Sequence, residues 1–368
     1  MSKLKELVLI KKGTKIEPLE SGDDLIRFIQ IDDLRNNENI KLCKSLNNYT
    51  KVTEKDVIIA WDGANAGTIG YGISGAIGST LAKLEIINKN VCTQYLGILL
   101  QGKFHYLRST CTGATIPHIS RSALENIEIP LPPIEEQKKI AEILDKASNL
   151  IYLRKKQIEK LDLIVKSRFL EMFGDPVTNA MGWEAKQLGE LCSISRGGSP
   201  RPIEKYLGGT VPWIKIGDAT SGDDVYLRST KENIIEAGVK KSRRVKSGSL
   251  IFANCGVSLG FARIITFDGC IHDGWLSFEE IDERLNKIFL LKSLNHCTEH
   301  FRRLAPEGTQ PNLNTGIMKD YSQIVPPLTL QNTFANFVGQ VDKSKFVLQQ
   351  GLEKLELTYK ALMQQYFN

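Results

Sequence analysis

"PLPPIEEQKKI", residues 130–140, and "VPPLTLQNTFA", residues 325–335, are one junction written twice. Pro132, Pro133 and Gln137 return as Pro326, Pro327 and Gln331, at an offset of 194. Past each junction the match continues. "IEKLDLIVKSRFLEMF" has the chemistry of "LEKLELTYKALMQQYF" at most positions, with Leu161 meeting Leu355 and Phe173 meeting Phe367. Upstream it is weaker: "LKELVLIKKGTK" from Leu4 resembles "LGELCSISRGGS" from Leu188, and "VIIAWDGANAGTIG" (57–70) resembles "LIFANCGVSLG" (250–260) with a gap. A repeat decides the fold, because each copy is one structural unit. The 368 residues are two copies of a variable body followed by a closely similar tail.

The tails read as helices. Pro132 and Pro133 suit a helix start, and Glu135 and Glu136 sit where the positive end of the helix dipole favours acids. With Ile140 as position a, the first tail has a = Ile140, Ala147, Arg154, Leu161, Arg168 and d = Leu144, Ile151, Ile158, Val165, Met172. The second has a = Phe334, Val341, Leu348, Leu355, Leu362 and d = Val338, Lys345, Leu352, Tyr359, Tyr366. Five heptads with mostly apolar a and d positions predict a coiled-coil seam. At 1.5 Å per residue, a tail of roughly 38 residues is a rod about 57 Å long. Arg154, Arg168 and Lys345 interrupt the seam, either to set its alignment or to mark where a third helix docks. The second tail also lacks the acidic pair and carries Gly339 and Gly351 in its interior. Gly174 of "FGDP" suits the position after a helix, and Pro176 prevents its return.

The bodies hold short β-branched runs such as "DVIIA" and "SLIFA" between glycine-rich turns, with "NKIFLLKSLNHC" one of few helical stretches. Each reads as a compact, strand-rich α+β domain. Trp61, Trp213 and Trp275 lie in strand-like text and read as core. No apolar run approaches the ~18–20 residues of a membrane span. Seven scattered cysteines without C-x-x-C fit reduced thiols of a cytoplasmic protein, not a disulfide framework or zinc ribbon. The net charge of +6 is spread over the chain, so it permits a nucleic-acid partner without arguing for one. The local exception is "KKSRRVK", with Lys240, Lys241, Arg243, Arg244 and Lys246.

No catalytic constellation emerges. There is no P-loop and no H-E-x-x-H. "HCTEH" spaces His296 and His300 like ligands but lacks the glutamate at the expected place, so no metal site is expected. Asp175 with Glu184 and Lys186 superficially resembles a nuclease set, but it falls in the junction after the first tail.

The order body, helix, body, helix resembles the specificity (S) subunits of type I restriction-modification systems. The residues that carry the resemblance are "PLPPIEEQKKIAEIL", "FGDP", the opening L-x-E-L-x-x-I-x-x-G, and "TQPNLN" (309–314), paralleled by "TIPHIS" (115–120). The resemblance implies a target recognition domain at 1–131, a conserved spacer helix at 132–174, a second recognition domain at 175–325 and a second helix at 326–368. It implies an internal tandem repeat with pseudo-twofold symmetry, whose helices pair as an antiparallel coiled coil. Each domain would read half of a bipartite, asymmetric target in double-stranded DNA, while the helices set the spacing and dock methyltransferase subunits, two per chain. Restriction subunits would join through the assembled complex. The chain itself would be non-catalytic and hold no cofactor; S-adenosylmethionine, ATP and Mg would belong to the partners.

Base reading in the major groove needs Arg or Lys for guanine and Asn or Gln for adenine. The candidates are Lys15, Asn65 and Arg121 in the first domain, and Arg201, Lys215, Arg243, Arg244 and Asn254 in the second, with Lys240, Lys241 and Lys246 of the basic cluster. The helix-pairing candidates are the apolar seam residues: Ile140, Leu144, Ile151, Ile158, Leu161 and Val165, with Phe334, Val338, Val341, Leu348, Leu352, Leu355, Tyr359 and Leu362. The rival class is a non-catalytic coiled-coil scaffold with two protein-binding domains.

Overall fold

A computed structural model describes residues 1–113, 115–220, 224–256, 258–305 and 312–367. The chain divides into two compact units, one of residues 1–156 with 349–368, the other of residues 157–348. Each unit thus holds one body, the first part of that body's own helix and the last part of the other helix.

The two bodies share one topology. In the first, Val8–Lys12, Leu81–Ile86, Val57–Ala60 and Ile69–Tyr71 lie side by side in that order, all antiparallel. A second sheet runs Lys41–Lys44, Leu25–Ile29, Gly75–Ile77, Lys51–Val52, with its two central strands parallel. The second body repeats the first sheet as Ser193–Arg196, Trp275–Glu279, Leu250–Ala253 and Ala262–Ile265, and extends it with Tyr226–Leu227. Its second sheet runs Glu232–Ile234, Leu207–Ile214, Gly269–Ile271, Arg243–Val245, again with a parallel central pair. The helices Thr93–Gly102 and Phe104–Ser109 return as Lys287–His296 and Thr298–Leu304. The 194-residue offset therefore already holds from Thr93, well before the tails.

Strand alternation builds the cores. Ile59 faces one core and Ile58 the other, so the strand Val57–Ala60 serves both sheets and is buried throughout. Leu250–Ala253 does the same in the second body. Trp61, Trp213 and Trp275 are buried as the sequence predicts. All seven cysteines are free.

The duplicated junction has a specific cause. Gln137 is fully buried; its carbonyl accepts from the Cys92 N–H at 2.9 Å, and its amide donates to the Asn90 and Pro132 carbonyls, each at 2.8 Å. Gln331 does the same in the second copy, accepting from Asn286 N–H at 2.8 Å and donating to the Arg284 and Pro326 carbonyls at 2.9 and 2.7 Å. Only a side chain with both donor and acceptor satisfies these three backbone groups at once.

Past the glutamines run two helices of 40 residues, Ile134–Phe173 and Leu328–Phe367. They pair antiparallel in each unit. In the first, Ile140 and Leu144 share a core with Tyr359, Leu362 and Phe367, and Lys155 pairs with Glu356 at 2.7 Å. In the second, Val165, Phe169 and Phe173 pack with Phe334, Val338 and Val341, the Phe173 and Phe334 rings meeting edge-on at 5.5 Å. Ile140, Leu144, Val165, Phe334, Val338, Val341 and Leu352 are buried; Ile151, Ile158, Leu161, Leu348, Leu355, Tyr359 and Leu362 are partly buried. The heptad reading thus picked the inward face of both helices. At its ends the seam is more than a two-helix contact, because it continues into the domain cores. Gly351 also has a reason: a Cβ there would press on the Arg154 guanidinium.

Gln137→Leu keeps the side-chain volume but strands the Cys92 N–H and the Asn90 carbonyl. It is expected to cost about 2–4 kcal/mol, from ~1–3 kcal/mol per buried unsatisfied group. Urea unfolding of the full chain measures it; a loss under half a kilocalorie would show that the junction does not depend on this side chain.

Candidate nucleic-acid interface

The opening motif of each body ends in a glycine that lets the chain pass against the second sheet. A Cβ on Gly13 would collide with the Ile77 and Gly78 carbonyls, and one on Gly197 with the Ile271 and His272 carbonyls. This crossing sets residues 14–16, and 198–201 in the second body, beside the ends of the parallel strands. A buried or half-buried aspartate then shapes the exit of the first of those strands. Asp33 accepts from the Gln30 N–H at 2.7 Å, and Asp218 from the Lys215 N–H at 2.8 Å. Gln30 and Lys215 are therefore equivalent positions bearing different chemistry.

In the first body these elements enclose a cleft of about 410 Å³, lined among others by Lys15, Gln30, Asp32, Asn65, Ser79 and Thr80. Two sequence candidates, Lys15 and Asn65, meet there. Asn65 is oriented by Arg35, which donates to its carbonyl at 2.8 Å and leaves the amide group for a ligand. Alongside, Asp62 takes hydrogen bonds from His118 at 2.6 Å and Lys12 at 3.0 Å. Burial opposes ionisation of Asp62, but these two bonds win and hold its carboxyl below the usual range. Arg121 does not line the cleft; it opens the short helix Arg121–Glu125 and pairs with Glu125 at 2.7 Å.

In the second body the same place is cationic and organised around Asp273. Asp273 accepts from Ser199 Oγ at 2.7 Å, touches His272 Nδ1 at 3.0 Å and faces Arg201 at 3.9 Å. Arg196 donates to the Asp273 carbonyl at 2.8 Å, and Arg243 donates to the Arg196 carbonyl at 2.8 Å. Lys215 lies over the Trp213 ring at 5.1 Å and pairs with Glu232 at 2.5 Å. Burial and then the neighbouring Lys215, Arg201 and Arg196 push His272 below its usual pKa, with Asp273 opposing, so the imidazole stays neutral at neutral pH. A cation-lined surface of this kind suits phosphate and guanine.

Two sequence expectations change here. "KKSRRVK" is not one patch: Arg243–Val245 is an edge strand, so Arg243 and Arg244 point to opposite faces. Arg243 joins the Asp273 group; Arg244 lies on the side of Cys270, Lys241 bonds the Tyr206 hydroxyl at 2.5 Å, and Lys240 and Lys246 are exposed turn residues. Asn254 is fully buried, its amide donating to Asn312 and to the Leu313 carbonyl at 3.1 Å each, so it pins a loop and presents nothing to DNA. Residues 309–311 of "TQPNLN" lie outside the described residues. Lys186, which the sequence puts in the junction after the first tail, belongs to the short strand Ala185–Gln187. Gln30, Arg196, Ser199, His272 and Asp273 were missed; the signal for them was their place just past the duplicated glycine or a strand end.

A strand-rich domain written twice, with unlike polar groups at equivalent strand ends and a long helix after each copy, defines the class: a tandem-repeat protein whose two domains share a frame and differ in the groups they carry. A sequence profile of the type I restriction modification DNA specificity domain matches residues 1–163 and 181–357, and the chain belongs to that family. It is 29% identical over 360 residues to the type I restriction enzyme MjaVIII specificity subunit of Methanocaldococcus jannaschii, covering 91% of this chain and 84% of that one. The MjaIX specificity subunit of the same organism is 26% identical over 375 residues, covering 92% and 85%. Among solved structures, a type I S subunit from M. genitalium superposes with a TM-score of 0.62 at 16% identity, over 98% of this chain and 94% of that one. A chain from a study of assembly and conformational transition of a type I system superposes at 0.57 with 17% identity, over 100% and 97%. The chain is thus a type I specificity subunit, with two domains for DNA recognition.

The split cluster gives unequal roles to adjacent arginines. Arg243→Ala is expected to weaken binding to duplex DNA of any sequence and to lower the slope of log affinity against log salt by roughly one unit. Arg244→Ala is expected to leave the slope within half of that. Fluorescence anisotropy across a salt series decides; equal effects would return the cluster to a single patch.

Proposed function

We propose that each domain reads one half of a bipartite, asymmetric target, and that the helix pair sets the gap and docks two methyltransferase subunits per chain. The observation that carries the reading is the pair of equivalent positions with unlike chemistry. Gln30 and Lys215 leave matching strand ends, each held by an aspartate, yet one is an amide and the other a cation. Amides suit adenine and cations suit guanine, so equivalent frames would read unlike half-sites. Lys15, Asn65 and Gln30 would do so in the first domain, and Arg201 and Lys215 in the second, with Arg243 holding a phosphate beside them. Arg121, Lys240, Lys241 and Lys246 remain available for phosphates outside the first domain's cleft.

The helices support the docking role. Tyr152, Leu153 and Leu357 are 47, 48 and 68% exposed on the first unit's helix pair. Their repeat counterparts Phe346, Val347 and Leu163 are 58, 64 and 59% exposed on the second's. Large apolar side chains left in water on a helical surface mark an interaction site. Here the cross-helix ion pairs, Lys155 with Glu356 and Lys345 with Asp162, bring the members of each trio to one level of the rod. Two equal patches fit two copies of one partner. Methyl transfer from S-adenosylmethionine, and ATP- and Mg-dependent cleavage by restriction subunits, would then occur on the partners, in the cytoplasm. Among the described residues no helix is long and apolar enough to cross a membrane.

The test is expression of the chain with a type I methyltransferase subunit, followed by methylome sequencing. One bipartite motif with unlike halves is expected, and no methyl transfer by the chain alone. Adding one heptad to each helix keeps the seam and lengthens it by about 10.5 Å. At ~3.4 Å per base pair the gap should grow by roughly 3 base pairs. Methylation without the partner, or an unchanged gap in the lengthened variant, overturns the corresponding part of the reading.

Docking has its own test. Leu153→Asp and Val347→Asp should each remove one methyltransferase from the complex, and the double variant both, as read by native mass spectrometry. Full occupancy in the double variant would place the partner elsewhere.

A further inference from the structure

Lys345 occupies a d position of the second helix, where the seam calls for an apolar side chain. Its side chain is only 16% exposed. A buried ammonium persists only if its charge and hydrogen-bonding capacity are met. Lys345 Nζ meets Asp162 of the first helix at 2.5 Å and Asp224 of the domain at 3.0 Å. Asp224 turns its other oxygen to Lys292 Nζ at 2.6 Å, on the helix Lys287–His296 inside the domain. Two lysines and two aspartates balance, and one lysine ties three parts together: both long helices and the body they carry.

The first copy is built differently. The repeat counterpart of Lys345 is Ile151, and the first domain is tied to its helix by the Tyr71 hydroxyl, which donates to Asp145 at 2.6 Å. The four-group bridge is therefore no general requirement of the fold. An apolar contact tolerates small rotations and slips, whereas hydrogen-bonded ion pairs are directional. The bridge also favours its charged form: burial opposes it, but Lys292 and Lys345 hold the Asp224 carboxyl well below the usual carboxylate range.

We propose that Lys345, through Asp224 and Asp162, is a positioning residue that fixes the second domain's setting on its helix pair and so the gap length the subunit accepts. The proposal rests on the reading of a bipartite DNA target. The domain stays seated without the bridge, since Phe289 of the domain packs on Phe169 and Phe173 of one long helix, and these in turn on Phe334 of the other. Loss of the bridge therefore loosens the setting without dismantling the domain.

The experiment uses the full chain assembled with its methyltransferase subunits. Methyl transfer is timed on duplexes carrying the mapped target with its native gap, and with that gap one base pair longer or shorter. The wild type should lose about a hundredfold in rate at a wrong gap, the scale at which a misplacement of an ångström is felt. In Asp224→Asn the helix-to-helix pair Lys345–Asp162 survives, while the tie to the domain is cut and Lys292 loses its counter-ion inside the domain. That variant should accept wrong gaps within about tenfold of the native one. Lys345→Met should behave alike, and Lys345→Arg should regain part of the discrimination. Lys155→Met, at a surface pair of the first unit, should keep the wild-type preference. If Lys345→Met does not fold, Asp224→Asn decides alone. Wild-type discrimination in a folded Asp224→Asn overturns the proposal and leaves the DNA-target reading intact. Failure of the wild type to direct methylation to any bipartite site would overturn that reading, and the proposal with it.

Discussion

One buried glutamine side chain holds each domain to the helix that follows it. A helix leaving a domain is free to rotate about the connecting bonds unless its first turn is fixed. Gln137 and Gln331 fix it, each through three hydrogen bonds from its side chain to backbone groups of the preceding proline segment and a body loop. The prolines contribute by restricting the chain just before the turn. With the first turn fixed, the face each helix shows to its partner is decided by its heptads alone. A long seam and a recognition surface can then vary separately, because neither has to correct the other's orientation.

The tails were legible in the sequence because their signal is local. A 3.5-residue period sustained over five heptads needs no knowledge of the rest of the chain. All fourteen apolar seam residues chosen that way lie at least partly inside. The bodies were less legible because their order is set by pairings far apart in sequence. Leu25–Ile29 with Gly75–Ile77 is a parallel pair, and the strand Lys51–Val52 is only two residues long. The run "TQYLGILLQG" hid the extension of the repeat, since a short continuous apolar run fits strand and helix alike.

Site residues were harder still, for a physical reason that Arg243 and Arg244 show. Adjacent charges look like one patch in text, but on a strand neighbours face opposite ways, and only the assigned strand tells which one meets Arg196. Asn254 makes the converse point. Its side chain is wholly buried and its amide donates inside the fold, to Asn312 and the Leu313 carbonyl.

Comparing the copies separates frame from reader without any other sequence. Groups that hold backbone in place are alike: Gln137 and Gln331, Gly13 and Gly197, Asp33 and Asp218. Groups that face the cleft differ: Gln30 against Lys215, Ser79 against Asp273, Gly78 against His272. A substitution in the first set leaves a buried donor, acceptor or carbonyl without room or partner, at a cost of ~1–3 kcal/mol each. One in the second set alters only what solvent or a ligand meets, and costs the fold little. The two copies therefore differ where the fold is indifferent, which is where the proposed reading places recognition. Lys345 and Ile151 extend the same logic to the seam: the position is inward in both helices, but one copy fills it with a methyl-rich side chain and the other with a charge that reaches its domain.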